Sequence, residues 1–315
     1  MGMFSDLRPT GAVTRLEAGD LELVVMPSCG ARVVSLRSSG RDVLRPALSS
    51  ALKEAYVYGF AAFPLMPYSG PIFGGGFSFA GRFHPLARNV PTEPSATHGE
   101  AWISAWRIES SQPDRLSLVF DYEPGPDRFP FPWHGRIEYS LDGGTFLAQL
   151  TLANRGRTPM PAGMGLHPYF PTVPGATLAF GHGKVWPPDS PETVDLGPAE
   201  PPPGLDFRQG QEVLGRGLDR CFDDWDGRAV LTRPDGSATT VEADPVFGKL
   251  QIYDAWDYPY ICIEPVTNAN DGYNRMARGV AGHAVRTLDP EEEMHGRIRI
   301  TASFPAIEKE PKEET

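Results

Sequence analysis

The chain of 315 residues carries 40 Asp and Glu against 29 Lys and Arg, and the formal net charge of −11 argues against a nucleic-acid or anionic-membrane partner, since both attract basic surfaces. Hydrophobic residues make up 40% and charged residues 22%, which is typical of a globular protein with a substantial core. No stretch reaches the length and apolarity of a transmembrane helix, and residues 1–11 lack the apolar segment of a signal peptide.

The chain reads as a series of short strands separated by turns. Glycines number 34 and prolines 33, and no segment keeps a helical apolar period over a dozen residues. Short helical turns are predicted near 49–58 alone. The strand-like runs are, in chain order, 21–26, 31–37, 116–122, 136–141, 146–154, 177–180, 229–233, 239–243, 250–256, 260–264 and 297–304. We therefore predict an all-β fold, a large antiparallel β-sandwich with few short helices.

Two stretches between these strands are predicted to be loops. Residues 63–81 are rich in proline, glycine and aromatic residues, and residues 186–204 are proline-rich enough to pass for an interdomain linker. Because strand-like patterns continue on both sides of 186–204, we interpret it as a surface loop within a single domain spanning 1–305. Residues 306–315 are charged and lack apolar anchors, which predicts a flexible C-terminal tail.

The cysteines and histidines give no sign of a metal site. Cys29, Cys221 and Cys262 are an odd number without metal-ligand spacing, and no two of the seven histidines stand in a His-x-His or i, i+4 pair. Secreted proteins tend to pair their cysteines. We therefore expect free buried thiols, a cytoplasmic location and no metal.

The segment GMGLHPYF, residues 163–170, holds a histidine in a special setting. Pro168 pushes His167 into an extended conformation and predicts a strand end there. Gly163 and Gly165 remove side chains just upstream, so another part of the chain can approach the backbone closely. The segment predicts one imidazole held rigidly beside an open space.

The segment YICIEPVTN presents a carboxylate in a similar way. Ile261 and Ile263 alternate with Cys262 and Glu264, so the carboxylate faces away from the two isoleucines. Pro265 predicts another strand end directly after Glu264. An imidazole and a carboxylate that face one cavity suit paired general acid and base catalysis.

Five motifs occur along the chain in a fixed order and make the pattern specific. They are THGEAWISAWRIE, NRGRTPMPAGMGLHPYF, LDRCFDDWDG, LQIYDAW and CIEPVTNANDG. With this series, the chain resembles the aldose 1-epimerase (galactose mutarotase-like) family. CGARVVSLRSSGRDVLRP and LDPEEEMHGRIRITASF are also similar to the first and last strands of that family, so the resemblance covers roughly residues 11–305.

The resemblance implies a galactose mutarotase-like supersandwich that interconverts the α and β anomers of a free hexose or related sugar without a cofactor. At the matching positions, Glu264 would be the base that removes the anomeric hydroxyl proton, and His167 the acid that protonates the ring oxygen. His98, Asp219 and Gln251 would bind sugar hydroxyls. The expected partner is a small-molecule sugar, and the oligomeric state stays open.

The sequence departs from the family at one substrate contact. Gly70 and Pro71 stand where the family places an Asn-Arg pair, so Arg82 or Arg88 would have to supply the charge, or the substrate differs. Two alternatives stay open: a hexose-6-phosphate 1-epimerase, which would need a cluster of basic residues at the cleft, and a non-catalytic carbohydrate-binding or regulatory protein. A planar face for the sugar ring could come from Trp102, Trp106, Trp256, Tyr169 or Phe170, although core packing is the commoner role of such residues.

Overall fold

The computed structural model describes residues 12–54, 57–254, 256 and 258–305, with backbone alone at 53, 54 and 57. Two short helices occur there, α1 (Ser49–Glu54) and α2 (Gly272–Ala277), with single 3₁₀ turns at Val57–Gly59, Ala101–Ile103, Pro191–Thr193 and Pro203–Leu205. No helix in these ranges is long and apolar enough to cross a membrane. Residues 306–315, predicted as a flexible tail, lie outside the described residues.

Strands make up most of the regular structure, which confirms the all-β prediction. Within the described residues they are β1 (Thr14–Ala18), β2 (Leu21–Met26), β3 (Arg32–Ser38), β4 (Arg41–Asp42), β5 (Pro64–Leu65), β6 (Pro71–Ile72), β7 (Gly76–Phe79), β8 (Arg82–Pro85), β9 (Ala96–Thr97), β10 (Arg107–Gln112), β11 (Arg115–Tyr122), β12 (Trp133–Asp142), β13 (Thr145–Asn154), β14 (Met160–Ala162), β15 (Gly165–Leu166), β16 (Tyr169–Pro171), β17 (Thr177–Phe180), β18 (Gln211–Glu212), β19 (Leu218–Phe222), β20 (Arg228–Thr232), β21 (Ala238–Ala243), β22 (Lys249–Asp254), β23 (Tyr260–Val266), β24 (Arg286–Leu288) and β25 (Glu293–Ser303).

Two large antiparallel sheets dominate the architecture. The nine-stranded sheet has the order β10-β11-β12-β13-β25-β21-β20-β17-β18. The six-stranded sheet has the order β19-β22-β23-β15-β5, with β16 also paired to β23. A four-stranded sheet, β1-β2-β3-β4, and three two-stranded sheets, β14-β24, β6-β9 and β7-β8, complete the set.

The two large sheets share one hydrophobic core. Ile137 and Leu150 from the nine-stranded sheet belong to the same buried cluster as Ile252 and Ile263 from the six-stranded sheet. Because side chains alternate along a strand, the immediate neighbours of Ile252 on β22 and of Ile263 on β23 point to the opposite face of the six-stranded sheet. Gln251 of β22 and Glu264 of β23 lie on that opposite face.

Each strand predicted from the sequence is present, with its ends shifted by a few residues. Strand β10 was not predicted because all six of its residues are exposed and it lacks an apolar alternation. It forms one edge of the nine-stranded sheet, where pairing on one side is enough to hold it. The predicted loop at 63–81 also contains the short strands β5, β6 and β7.

The prediction that Glu264 ends a strand is wrong, because β23 continues through Pro265, which pairs with Leu250. Thr267 donates its N–H to the carbonyl of Met164, so the nitrogen of Pro265, two residues earlier, faces the same side. On that side Leu166, the last residue of β15, stands opposite Pro265, and the neighbouring strand is interrupted directly after it, between β15 and β16. On its other side β23 stays paired with β22 past the proline, which keeps the strand continuous.

The same interruption fixes the place of His167. Strands β15 and β16 pair with β23 in one common register, although the chain leaves the ladder between them. In that register His167 stands opposite Glu264, and its N–H donates to Phe63 on the far side at 3.0 Å. Because Pro168 follows, the imidazole lies at a break in the sheet, as the sequence predicted for it.

We expect Gly165→Ala to lower the free energy of unfolding by about 1–3 kcal/mol, because the new Cβ would lie 2.8 Å from Val266 Cγ1 and 2.9 Å from the carbonyl oxygen of Pro265. Urea denaturation followed by fluorescence measures the change. Gly197→Ala is the matched control, since a Cβ there meets nothing within 4 Å. Equal stability of the two variants would contradict the close approach.

Candidate active site

A cleft of about 860 Å³ opens on the outward face of the six-stranded sheet. The five residues singled out from the sequence come from separate segments, and the structure brings all of them to this cleft. They are His98, His167, Asp219, Gln251 and Glu264.

His167 and Glu264 form a buried pair at the floor of the cleft. The Nε2 atom of His167 lies 3.3 Å from Oε1 of Glu264, and the two side chains are 8% and 3% exposed. The imidazole stacks on the ring of Tyr169 at 4.7 Å between centroids, and Phe63 packs against it at 4.6 Å. Two aromatic rings therefore pack against the imidazole and hold it with Nε2 towards the carboxyl group.

The surroundings push the two pKa values in opposite directions. Burial raises the pKa of Glu264 well above its usual range, and the charge of Asp219 adds to the effect. Burial lowers the pKa of His167 well below its usual range, and His98 and Arg45 lower it further. Both shifts favour the uncharged forms, a protonated Glu264 carboxyl group and a neutral His167 imidazole. Transfer of that proton from Glu264 to His167 creates a carboxylate base beside an imidazolium acid.

The glycines before His167 allow the close approach that the sequence predicted. A Cβ at Gly163 would lie 2.0 Å from Oδ1 of Asn268. Asn268 accepts hydrogen bonds from the N–H and the hydroxyl of Ser69 at 3.3 and 3.1 Å, and its amide donates to the carbonyl of Ser69 at 3.3 Å. Three chain segments thus meet behind the cleft floor.

His98 occupies an unusual backbone conformation that fixes its ring. His98 and Gly99 both have positive φ, 61° and 71°, and a Cβ at Gly99 would lie 2.0 Å from the carbonyl oxygen of Met66. The N–H of Gly70 donates to Nδ1 of His98 at 3.1 Å, so the neutral ring carries its proton on Nε2. Burial lowers the pKa of His98 to about 3. His98 is therefore a neutral hydrogen-bond donor, with its ring edge towards His167 at 5.4 Å between centroids.

Gln251 and Asp219 continue the polar row across the sheet. Gln251 is the cross-strand neighbour of Glu264, and its Nε2 donates to Oδ1 of Asp219 at 2.5 Å. Burial raises the pKa of Asp219, while Arg220 and the Gln251 hydrogen bond lower it. The side chain of Asp219 is still open to the cleft, where it can accept a hydrogen bond from a ligand hydroxyl.

Several polar cleft residues escaped the sequence analysis, and two of them are Asp189 and Asn270. Asp189 lies in the proline-rich loop 186–204 and Asn270 in the motif CIEPVTNANDG, and both line the cleft. Asn270 lies within a motif that had been singled out, so its position was a usable signal. Nothing local to Asp189 indicates that its loop returns to the sheet.

The aromatic lining differs from the expectation. Of the five predicted aromatic residues, only Tyr169 lines the cleft. Four tyrosines that were not predicted line it as well. Trp102, Trp106 and Phe170 are buried in hydrophobic clusters, and Trp256 is 71% exposed outside the cleft. The four other tyrosines are Tyr58, Tyr253, Tyr258 and Tyr260.

The departure at Gly70 has a steric cause. A Cβ at Gly70 would lie 2.0 Å from Oδ1 of Asn270, so this asparagine fills the space that a side chain at 70 would need. Arg82 and Arg88, considered as replacements for the missing arginine, are exposed and outside the cleft. Arg45 is the arginine that lines it.

One group of side chains has metal-like proximity. The ligand atoms of His167, Cys262 and Glu264 lie within 4.8 Å of one another. Burial raises the pKa of Cys262 well above its usual range, which keeps the thiol protonated. Because the thiolate is the form that ligates metals, a metal here would have to displace the proton of this buried thiol. All three cysteines are free and buried.

Comparison with known proteins points to one family. The sequence profile of the aldose 1-epimerases matches residues 13–301. The uncharacterized protein YphB of Escherichia coli K12 is 26% identical over 249 residues, which are 74% of this chain and 82% of YphB. A structure from the same organism, assigned as an aldose 1-epimerase, has 24% identity and a TM-score of 0.83 over 93% of this chain and 99% of that one. The galactose 1-epimerase of Lactobacillus acidophilus NCFM has 17% identity and a TM-score of 0.74 over 93% and 95%.

We expect His98 to stay neutral, with its proton on Nε2, throughout the neutral pH range, because burial holds its pKa near 3. The ¹⁵N shifts of its ring, assigned with a His98→Asn variant, should not change between about pH 5 and about pH 8. A titration near pH 6.5, or a proton on Nδ1, would contradict this assignment.

Proposed function

We propose that this chain, because it belongs to the aldose 1-epimerase family, interconverts the α and β anomers of a free hexose or a related sugar. The observation that carries the proposal is the buried His167–Glu264 pair, with Nε2 and Oε1 3.3 Å apart at the floor of the cleft. A group that removes a proton and a group that supplies one are both required at an anomeric centre, and this pair offers both.

The reaction follows from the proton that the pair shares. The Glu264 carboxylate takes the proton of the anomeric hydroxyl, the C1–O5 bond breaks as C1 becomes a carbonyl, and the His167 imidazolium gives its proton to O5. Rotation about C1–C2 presents the other face of the carbonyl. O5 then attacks C1 while His167 takes the proton back and Glu264 returns its proton to O1. Protons and electrons balance without a cofactor.

The other predicted residues have roles in sugar binding. His98 donates from Nε2, and Asp219 and Gln251 offer an acceptor and an amide to sugar hydroxyls. The neighbouring tyrosines give apolar faces for the ring. Both alternatives left open by the sequence are less well supported. Among the residues that the structure describes, the cleft has no basic cluster of the kind that a phosphorylated sugar would require. A binding protein has no need of a buried acid and base.

We expect Glu264→Gln and His167→Asn each to reduce catalysed mutarotation by about 10²–10⁴-fold, because each removes one proton-transfer group while its shape is kept. Polarimetry on freshly dissolved α-glucose and α-galactose, with the buffer rate subtracted, measures the effect. Glu242→Gln and His295→Asn on the nine-stranded sheet are the matched controls. A wild type that does not exceed the buffer rate, or either active-site variant with full activity, would refute the proposal.

We expect kcat/KM to stay level as the pH rises through 6.5. At low pH, kcat/KM falls when the pair takes up a second proton, which follows the lowered pKa of His167. At high pH, kcat/KM falls when the pair loses its proton, which follows the raised pKa of Glu264. An imidazolium with an ordinary pKa would instead lose its proton near 6.5, and the rate would fall above that pH. Such a fall, measured from about pH 5 to about pH 9 against buffer blanks, would contradict the coupled pair.

A further inference from the structure

The polar row at the cleft floor extends beyond the residues assigned so far. From Glu264 it leads across the strands to Gln251, whose Oε1 accepts a hydrogen bond from Nδ2 of Asn270 at 3.2 Å. The same Nδ2 is hydrogen-bonded to Oδ2 of Asp189. The other end of the Gln251 amide, Nε2, donates a hydrogen bond to Oδ1 of Asp219. The chain of contacts therefore leads from the reacting pair to a second carboxyl group, that of Asp189.

The loop that carries Asp189 is fixed in place. Nη1 of the buried Arg275 lies 3.1 Å from the carbonyl oxygen of Thr193 and 3.3 Å from that of Val194, and it also contacts the carbonyl of Leu196. The guanidinium stacks over Trp186 at 4.7 Å from its centroid. Because both the loop and its carboxyl group are held before any ligand arrives, Asp189 is a preorganised group.

Asn270 fills the space of the side chain that is missing at Gly70, where the family places the asparagine of its Asn-Arg pair. The side chain of Asn270 lies where a Cβ at Gly70 would be, and it donates to Asp189. A carboxyl group is therefore held beside this departure from the family, and it lines the cleft.

The lining of the cleft is rich in carboxyl groups. Besides the uncharged His167–Glu264 pair, Glu93, Asp189 and Asp219 line it, and among the described residues Arg45 is the sole lysine or arginine to do so. The guanidinium of Arg45 donates to the carbonyls of Tyr58 and Phe60 at 3.0 and 2.7 Å and stacks over Tyr169 and Tyr260. An anionic substituent on a sugar would find repulsion here and no basic cluster.

We propose that Asp189 binds a hydroxyl of the substrate and that its carboxyl group, with the acidic lining, restricts the site to sugars without an anionic substituent. The inference rests on the proposed mutarotase function and names its substrate class, an unphosphorylated aldose. Asp189 sets specificity and takes no part in the proton transfers.

The ionisation of Asp189 is compatible with this role. Burial raises the pKa of Asp189 to about 7, and the charges of Asp219 and Asp271 raise it, while the Asn270 hydrogen bond and Arg275 lower it. Near neutral pH the carboxyl group is therefore present in both forms. It can accept a hydrogen bond from a sugar hydroxyl or donate one to it.

The test compares two variants on two kinds of sugar. Exchange between the α and β anomeric ¹H signals is followed for glucose, galactose and glucose 6-phosphate. We expect the wild type to accelerate the free sugars and to have a much lower kcat/KM for the phosphate. Asp189→Ala should raise KM for the free sugars about 10-fold or more, with kcat changed less than about twofold. Asp189→Asn should reduce the preference for free over phosphorylated sugar by about 10-fold.

Asp195→Asn is the matched control, since Asp195 lies on the same loop but forms an exposed ion pair with Arg278 at 3.1 Å. A thermal melt identifies any variant that has lost its fold, and if Asp189→Ala has done so, the isosteric Asp189→Asn carries the test. Two results would overturn the role of Asp189 while the mutarotase function stands. In one, the wild type accelerates glucose 6-phosphate as well as glucose. In the other, the Asp189 variants match Asp195→Asn in KM and in their preference for free over phosphorylated sugar. If the wild type and Asp195→Asn accelerate none of the sugars, the proposed function fails and this inference with it.

Discussion

The site depends on one interruption in the six-stranded sheet. Strands β15 and β16 keep a common register against β23, and where the ladder between them breaks, His167 stands opposite Glu264. A continuous ladder would have sealed both side chains between neighbours. The break leaves both side chains open to the cleft, yet they are buried enough that an isolated charge on either one is unfavourable. Burial and proximity together make the two groups share one proton, and this shared proton is what acid–base chemistry at a sugar ring requires.

The two faces of the same strands serve different purposes. Ile252 and Ile263 anchor the six-stranded sheet to the nine-stranded one, while Gln251 and Glu264, one position along, face the cleft. Because the floor is fixed by the core behind it, its geometry does not depend on loops. The loops add the outer contacts, and each is fixed locally, His98 by its left-handed turn and Asp189 by the buried Arg275.

The sequence predicts much of this arrangement and misses parts of it for physical reasons. Period-two alternation and turn residues identify the strands that line the core, whereas the exposed β10 has no such pattern. Pro265 indicates a strand end, but the strand continues because it stays paired with β22 on its other side, which is a tertiary fact. His167 and Glu264 stand out from their local sequence, whereas the binding roles of His98, Asp219 and Gln251 came through resemblance, since spacing does not bring distant segments together. Asp189 and the steric conflict between Gly70 and Asn270 depend on loop contacts that no local pattern records.

The way Arg275 holds the proline-rich loop has a consequence for how such a protein can diverge. Its guanidinium contacts carbonyl oxygens of the loop, which every residue type possesses. Apart from its stack on Trp186, the anchor is therefore indifferent to which side chains the loop carries, so substitutions along 187–204 can accumulate without loosening these contacts. Substrate preference can drift over generations by changes in this loop while the acid–base floor, built on paired strands, is inherited intact.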